Sequence, residues 1–331
     1  MLNTQQINWL NIGLMVVSMI LAYIIPFELF LLSYAILGPL HYLTEISWLQ
    51  KNKFYVPGKF DPWFLAVLGL IVSLIVWKYV AYQETVDNIN YIALLSGLCM
   101  IFFKDKRLRT GSIIAVCLSS FLFEPGTIGI SSYYLFNSFF VIFLPTLIHV
   151  YLFTGFFIIY GAMKSKSSTG YLSVIVFVLC GLSFFFVGTD WDSIVTEKGK
   201  KIYSIFAGIN TEILLFFNVD GVQRTTDYVF GSQASVVLTR FIGFAYTYHY
   251  LNWFSKTSII KWHQISKNRF AIILFTWVLS VYVYFVNYKL GLQYLYFLSI
   301  VHVFLEFPLN FRSMGGIGTE LGKRLKIVKA S

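Results

Sequence analysis

The amino-acid sequence predicts an all-α fold, a polytopic bundle of transmembrane helices. Of the 331 residues, 57% are hydrophobic and only 12% are charged, which is unlike a soluble globular domain. Apolar runs long enough to cross about 30 Å of hydrocarbon recur along the whole chain. Because they leave no stretch in which a separate soluble core could form, we expect a single integral membrane domain over 1–331.

Hydropathy places about ten helical spans along the chain. The predicted spans are approximately 7–25, 27–49, 62–81, 89–103, 110–124, 131–162, 170–188, 233–255, 268–287 and 290–311. The first span lacks the basic start and the small-residue cleavage site of a secretory signal, so we expect it to remain as a helix. Pro145 predicts a kink in the sixth span.

Lysine and arginine are concentrated in alternate loops, which indicates the cytoplasmic side of the membrane. The basic positions are Lys51, Lys53, Lys59, the run from Lys104 to Arg109, Lys164, Lys166, Lys256, Lys261, Lys267, Arg269 and the tail 312–331. The intervening acidic or neutral loops lie around Glu84 and Asp87, around Glu124, and from Asp190 to Asp192. With ten spans, this pattern places both termini in the cytoplasm and makes 312–331 a basic cytoplasmic tail.

The segment 189–232 is the exception to this charge pattern. It falls outside the membrane in the ten-span topology, although it carries Lys198, Lys200 and Lys201. Its apolar middle is interrupted by Gly208 and by polar residues, which predicts an interfacial or re-entrant helix. If this segment spans the membrane instead, the orientation of every later span is inverted.

The net charge of +10 does not indicate nucleic-acid binding. The basic residues form short clusters between spans, where membrane topology and anionic lipid headgroups account for them. Cys99, Cys117 and Cys180 lie inside predicted spans without CxxC spacing. We therefore expect neither a disulfide framework nor a thiolate metal site.

Four of the five histidines, His41, His149, His249 and His302, lie inside long apolar stretches. On the predicted topology they belong to the second, sixth, eighth and tenth spans, which all run from outside to inside. Counted from the cytoplasmic ends of these spans, the four imidazoles lie roughly 9 to 20 Å deep at 1.5 Å per residue. Four imidazoles at one level predict a shared site, although each alone could be hydrogen-bonded to a neighbouring helix.

Two of these histidines have a glutamate one helical turn later, His41 with Glu45 and His302 with Glu306. Residues four apart share a helix face, so both carboxylates are expected at the site. As candidate catalytic groups, they would accept a hydrogen bond from the second ring N–H of a metal-binding histidine. Hydrogen bonding between helices and proton transfer are alternative roles for them. Imidazole ligands suit iron, and Fe(II) that activates dioxygen is the interpretation we favour, with zinc left open.

Aromatic residues and one charge near His249 are candidates for substrate contact. Tyr246, Tyr250 and Trp253 flank this histidine and could line a channel for an apolar substrate, or only pack. Arg240 lies nearer the outer end of the same predicted helix. It could bind substrate, pair with Glu212 or serve a structural role. The fifth histidine, His263, lies in a basic loop and is left out of the site.

The segments around the four histidines resemble motifs of the Brp/Blh family, bacterial membrane-embedded dioxygenases that cleave β-carotene to retinal. GPLHYLTE is similar to the family's GLPHGALD, and LIHVYLFT, YHYLNWF and SIVHVFLEF take the places of its three later motifs in the same order. Trp253 stands where the family has the second histidine of an HxxxH pair, and Thr154 stands where it has an acidic residue.

The resemblance implies a bacterial inner-membrane enzyme with a catalytic iron, dioxygen as one substrate and a lipid, polyene or carotenoid-like molecule as the other. It assigns His41, His149, His249 and His302 to the metal, with Glu45 and Glu306 as supporting carboxylates. Two other classes stay open from the residues alone. One is a proton-coupled transporter with His/Glu relays, and the other is a membrane protein with a single haem.

Overall fold

The computed structural model describes residues 2–78, 83–187 and 193–325, and every regular element within these ranges is helical. The helices are α1 (Thr4–Ile24), α2 (Pro26–Lys51), α3 (Asp61–Lys78), α4 (Gln83–Phe102), α5 (Lys106–Ser119), α6 (Ile130–Ser165), α7 (Ser168–Phe186), α8 (Glu197–Tyr203), α9 (Ala207–Phe216), α10 (Thr226–Gly231), α11 (Gln233–Ser255), α12 (Lys267–Val286) and α13 (Tyr288–Arg324). Single helical turns occur at Lys53–Tyr55, Ser120–Phe123, Pro125–Ile128, Ser204–Phe206 and Thr257–Ile260.

Short polar side chains fix where most of these helices begin. Asn3 and Gln6 form a reciprocal capping box at the start of α1. Backbone N–H groups in the first turn donate to the side chains of Asp105, Ser167, Thr196, Thr225, Ser232, Ser266 and Asn287 at the starts of later helices. These caps satisfy donors that a helix start would otherwise leave unpaired.

Seven helices are long and apolar enough to cross a membrane by length and composition, so the chain is a helical membrane protein. They are α1, α2, α6, α7, α12, α13 and the part of α4 from Thr85 to Phe102, while α3 contains a shorter apolar helix. The predicted spans 110–124 and 233–255 correspond to α5 and α11, which are not among the seven. The count of ten spans and the cytoplasmic termini therefore stay predictions.

Helix α11 is the most enclosed element of the bundle. Every residue from Leu238 to Tyr250 is buried. A helix surrounded by other helices does not face lipid, so it tolerates the many tyrosines and threonines that lower its hydropathy. Close approach at Gly243, where a Cβ would lie 3.0 Å from the carbonyl oxygen of Pro26, packs α11 directly against the start of α2.

The last helix is longer than the sequence predicts. We expected it to end at 311, but α13 passes through Pro308 and continues to Arg324, so the first part of the predicted tail 312–331 is helical. The helix continues beyond the predicted span because hydropathy reports the apolar part of a helix, whereas helicity can persist through the polar residues that follow. The end of the span and the cytoplasmic location of the tail stay predictions. Residues 326–331, the side chain of Glu84 and the loop from Asp190 to Asp192 lie outside the described residues.

The described part of 189–232 forms the short helices α8, α9 and α10, none of which is long enough to cross 30 Å of hydrocarbon. They lie against the end of the bundle at which α1 ends and α2 begins. The backbone N–H of Ile194 donates to the carbonyl of Ile24 over 2.8 Å, and that of Thr196 donates to Glu28 over 2.7 Å. We call this end of the bundle the opposite end.

The basic loops meet at the other end, which we call the basic end. Lys51 Nζ donates to the carbonyl of Gln264 over 3.1 Å, and the Asn8 side chain donates to Ser167 over 3.2 Å. Arg312 lies over the ring of Tyr55, 5.0 Å from its centroid. Loops that are distant in sequence but similar in charge are thus collected on one face of the bundle.

Candidate metal centre

Four helices bring their histidines together in the interior of the bundle. The histidine cluster consists of His41 on α2, His149 on α6, His249 on α11 and His302 on α13, all of them buried. The Nε2 atoms of His41 and His249 are 3.1 Å apart, and those of His149 and His302 are also 3.1 Å apart. Neighbouring ring centroids are 4.8 to 5.4 Å apart.

Three members of the cluster are placed to share one ion. His41, His249 and His302 each offer a ring nitrogen, and these three atoms lie within 4.8 Å of one another. His149 stands beside this set and joins it through its Nε2 contact with His302. Neutral imidazole nitrogens facing one another at such distances are the donor set that Fe(II), Zn(II) and similar ions prefer.

The local shape of α6 sets the position of His149. Ser138–Phe153 is a π-helical stretch with Pro145 inside it. Proline lacks the N–H that a regular α-turn requires, and the wider turn accommodates this loss. The π-helical stretch rotates His149 relative to a regular helix before α-helical geometry resumes at Thr154, and the kink predicted at Pro145 stays a prediction.

The second ring nitrogens of three histidines contact neighbouring oxygens. Thr154 Oγ1 lies 2.8 Å from His249 Nδ1, and the Leu298 carbonyl oxygen lies 3.3 Å from His302 Nδ1. His149 Nδ1 lies 3.1 Å from Glu306 Oε2. The hydrogen bonds of His249 and His302 hold these two rings in the orientation in which Nε2 is free to bind a metal.

Glu45 and Glu306 are both at the site, but their contacts differ from the expected ones. Glu306 was expected to support His302 on its own helix, and it contacts His149 on α6 instead. Glu45 Oε2 lies 3.0 Å from His41 Nε2, the nitrogen that also faces His249, so this carboxylate stands in the ligand layer itself.

Several buried polar atoms of the site lack a hydrogen-bond partner among the described residues. They are the Oε2 atoms of Glu45 and Glu306 and the Nδ1 atoms of His41 and His149. The ion-pair contacts of 3.0 and 3.1 Å do not have the alignment of hydrogen bonds. Buried nitrogen and oxygen acceptors without a hydrogen-bond partner destabilise the fold unless a cation binds to them. The residues present therefore fit a metal ion.

Aromatic residues enclose the cluster. Tyr42 stacks on the ring of His302 with centroids 4.2 Å apart, and its hydroxyl lies 2.8 Å from that of Tyr250. Trp253 packs against His41 with centroids 5.6 Å apart, and its Nε1 donates to Thr44 over 3.0 Å. Sequence reasoning missed Tyr42, although its position directly after His41 was a usable signal.

Two cavities approach the cluster from the two ends of the bundle. The larger cavity, about 690 Å³, is lined by His149 and His302 and extends toward the opposite end. The second cavity, about 550 Å³, is lined by His41, His249 and both glutamates and extends toward the basic end. The histidine cluster therefore forms the partition between two separate spaces.

The predicted substrate residues are divided between these spaces. Tyr246 and Tyr250 line the larger cavity, and Trp253 lines the second cavity. Arg240 lines neither of them. Its Nε and Nη2 atoms donate to Ser193 over 3.1 and 2.9 Å, and its guanidinium lies 5.2 Å from the Tyr23 ring centroid.

Charged residues mark the outer ends of both cavities. Glu212, considered as a partner of Arg240, instead pairs with Arg224 at the end of the larger cavity, with Arg224 Nε 2.7 Å from Glu212 Oε1. Lys164 and Lys256 line the second cavity at the basic end. Burial there lowers the pKa of Lys256 to about 8. The second cavity thus connects cationic loops with the two buried carboxylates.

Comparisons of the chain with protein-family models, with curated proteins and with solved structures find no match. The resemblance to the Brp/Blh family rests on four short segments and stays a prediction. The functional argument therefore depends on the geometry of the site itself.

Proposed function

We propose that this protein is a membrane-embedded, metal-dependent oxygenase that oxidises an apolar lipid, polyene or carotenoid-like substrate. The observation that carries the proposal is a set of three mutually close, buried histidine nitrogens that adjoins a cavity of about 690 Å³ with a largely apolar lining. A cavity of this size is typical of small-molecule sites. Iron is the proposed ion, because imidazole-rich sites with an open position suit dioxygen chemistry.

In this proposal, His41, His249 and His302 hold the ion, and His149 completes the site from α6. Bound iron(II) would supply the activation of dioxygen, which no amino-acid side chain provides. Thr154 and the Leu298 carbonyl orient the rings of His249 and His302. The Tyr42 ring, stacked on His302, excludes water from the side on which an apolar substrate would lie.

The lining of the larger cavity supports a substrate that is soluble in the membrane. Its wall between the two ends is made largely of aliphatic and aromatic side chains, including Phe30, Val141 and Tyr246. These side chains would hold an extended apolar molecule beside His149 and His302. We propose the bacterial inner membrane as the location, because the basic loops collected at one end suit its cytoplasmic face.

The experiment that tests the proposal is elemental analysis of the detergent-purified protein, with an absorption spectrum of the same sample. We expect about one iron per chain and no Soret band, with iron lost on replacement of any cluster histidine by alanine. His263→Ala is the matched control, because His263 lies in a loop outside the cluster. Full iron retention in all four cluster variants contradicts the proposal, and a Soret band would identify a haem protein instead.

A proton-coupled transporter is the second candidate, and one observation favours it. The two cavities approach the same layer of histidines and glutamates from opposite ends of the bundle. This arrangement is also expected of a carrier that exposes one site alternately to two sides. Metal-free protein that accumulates a solute in liposomes in response to a pH gradient would favour this candidate over the oxygenase.

A further inference from the structure

The larger cavity has two chemically different ends. Its inner end is formed by His149 and His302 of the histidine cluster. Its outer end holds the ion pair of Glu212 and Arg224, in which Arg224 Nη2 also lies 3.2 Å from Glu212 Oε2. The pair lies at the mouth of the cavity, where the side chains of Arg224 and Glu212 are 65% and 25% exposed, so it is accessible to a polar head group.

The outer end is polar beyond this ion pair. Asn137 of α6 and Gln293 of α13 also line the cavity there. Arg224 uses two of its five N–H donors on Glu212, so further donors remain for a ligand oxygen. Asn137 Nδ2 donates to Asp87 over 3.0 Å, so the Gln293 amide and Arg224 supply the groups that can bind a hydroxyl, a carbonyl or a carboxylate.

The helix register gives the distance along α13 from the polar lining to the histidine cluster. Gln293 and His302 both lie on α13, nine residues apart. At 1.5 Å per residue this separation is about 14 Å along the helix axis. The wall between them is apolar or aromatic, with Tyr34, Ile300 and Val303 as examples.

We propose that the substrate is an amphiphile with a single apolar chain and an oxygen-bearing head group. The head group binds at Glu212 and Arg224, and the chain extends toward His149 and His302. This inference rests on the proposed oxygenase function and adds the orientation of the substrate to it. Gln293 in the polar lining lies about 14 Å along α13 from His302, so the site of reaction is counted from the polar end.

Gly208 offers a way to block this cavity without disturbing the packing. It lines the larger cavity, and a Cβ at this position would meet no atom within 4 Å. It lies one turn before Glu212 on α9, on the same face of the helix. A phenyl group at 208 would therefore project into the open outer end. Gly231 on α10 also has open space at its Cβ but lines neither cavity, which makes it a matched control.

The experiment measures binding without the metal. Purified protein in lipid nanodiscs, with EDTA present, is titrated with cis-parinaric acid, a fluorescent polyene fatty acid, and with the corresponding alcohol. We expect saturable binding that is at least about tenfold weaker in Gly208→Phe and roughly fivefold to tenfold weaker in Arg224→Gln. Gly231→Phe and Arg269→Gln, an exposed arginine at the basic end, should bind like the wild type. Size-exclusion chromatography verifies that each variant is folded.

The competing outcomes are distinct. If the hydrocarbon squalene displaces the probe as well as a fatty alcohol does, the head-group site is refuted. If neither Gly208→Phe nor Arg224→Gln weakens binding, the probe does not occupy this cavity and the inference is overturned. If the protein as purified, before EDTA is added, holds no iron and still binds the probe, the oxygenase proposal is overturned and the amphiphile site stands. If the protein holds iron but does not bind the probe, the amphiphile site is overturned and the oxygenase proposal stands.

Discussion

At the scale of single residues, Thr154 determines how His249 is presented. Its hydroxyl lies 2.8 Å from His249 Nδ1, and both side chains are buried. The contact joins α6 to α11 and fixes which ring nitrogen faces the cluster. In metal sites, a partner of this kind fixes both the ring tautomer and the basicity of the ligating nitrogen.

Replacing Thr154 with valine tests this role, because the shape is nearly kept and the hydroxyl is lost. We expect Thr154→Val to weaken iron binding about 10-fold to 100-fold, measured by competition with a chelator. Thr247→Val is the control. Thr247 is a buried α11 threonine whose hydroxyl lies 2.7 Å from that of Ser33 and which lines neither cavity. Equal losses in the two variants would show that Thr154 has only a structural role.

Residue spacing predicted part of this chemistry. A glutamate one turn after a histidine shares its helix face, and His41 and Glu45 indeed contact each other at 3.0 Å. The contact between Glu306 and His149 joins two helices, and no spacing within one helix can predict it. The position of Tyr42 directly after His41 could have placed it near the site, but its stacking on His302 joins two helices and could not be predicted from spacing.

At the scale of the helix, close contacts between helices hold the ligand-bearing segments in place. Gly97 of α4 lies against α13, where an added Cβ would be 2.9 Å from the Cβ of Phe307. Phe307 is fully buried and directly follows Glu306. Because a Cβ is attached to the backbone, it cannot move aside without moving α13.

We expect Gly97→Ala to destabilise the protein by about 1–3 kcal/mol, through overpacking against α13. The midpoint of thermal unfolding in detergent and the iron content after heating are the two readouts. Gly13→Ala is the control, and we expect it to stabilise the protein. A Cβ on exposed Gly13 meets no atom within 4 Å, and alanine favours the helix over glycine by up to about 1 kcal/mol. An unchanged midpoint in Gly97→Ala would show that α13 shifts freely.

Hydropathy predicted where most of the helices lie but not which of them are enclosed by the bundle. The strongly apolar α7 and α12 coincide closely with the predicted spans 170–188 and 268–287. Helix α13 extends well past its predicted end, and α11 lies outside the seven apolar candidates although its predicted bounds agree. Both helices bury polar functional groups. Whether a residue is buried inside the protein depends on the neighbouring helices, so the sequence of one helix cannot predict it.

At the scale of the whole molecule, the two ends of the bundle differ in charge and in access to the site. The basic end carries Lys164 and Lys256 at the mouth of the second cavity, and the opposite end carries the ion pair of the larger cavity. The two cavities would therefore give two separate routes to the histidine cluster, one from each end of the bundle. The side of the membrane that each route faces depends on how the bundle is oriented in the membrane.

The orientation can be measured by labelling single cysteines with a membrane-impermeant maleimide. In a background with Cys99, Cys117 and Cys180 replaced by serine, Ser165→Cys reports the basic end and Asp220→Cys reports the opposite end, and both positions are exposed. Because lysine and arginine are retained in the cytoplasm, we expect Asp220→Cys to be labelled in intact cells and Ser165→Cys only in inverted vesicles.

The reverse pattern would place the larger cavity at the cytoplasmic face and would invalidate the predicted topology without affecting the metal site. Labelling of both cysteines from the same side would mean that the chain crosses the membrane an even number of times, or not at all, between positions 165 and 220. Helix α7 is the one described helix between them that is long and apolar enough to cross. Opposite labelling would therefore support both the crossing by α7 and the interfacial position of α8 and α9.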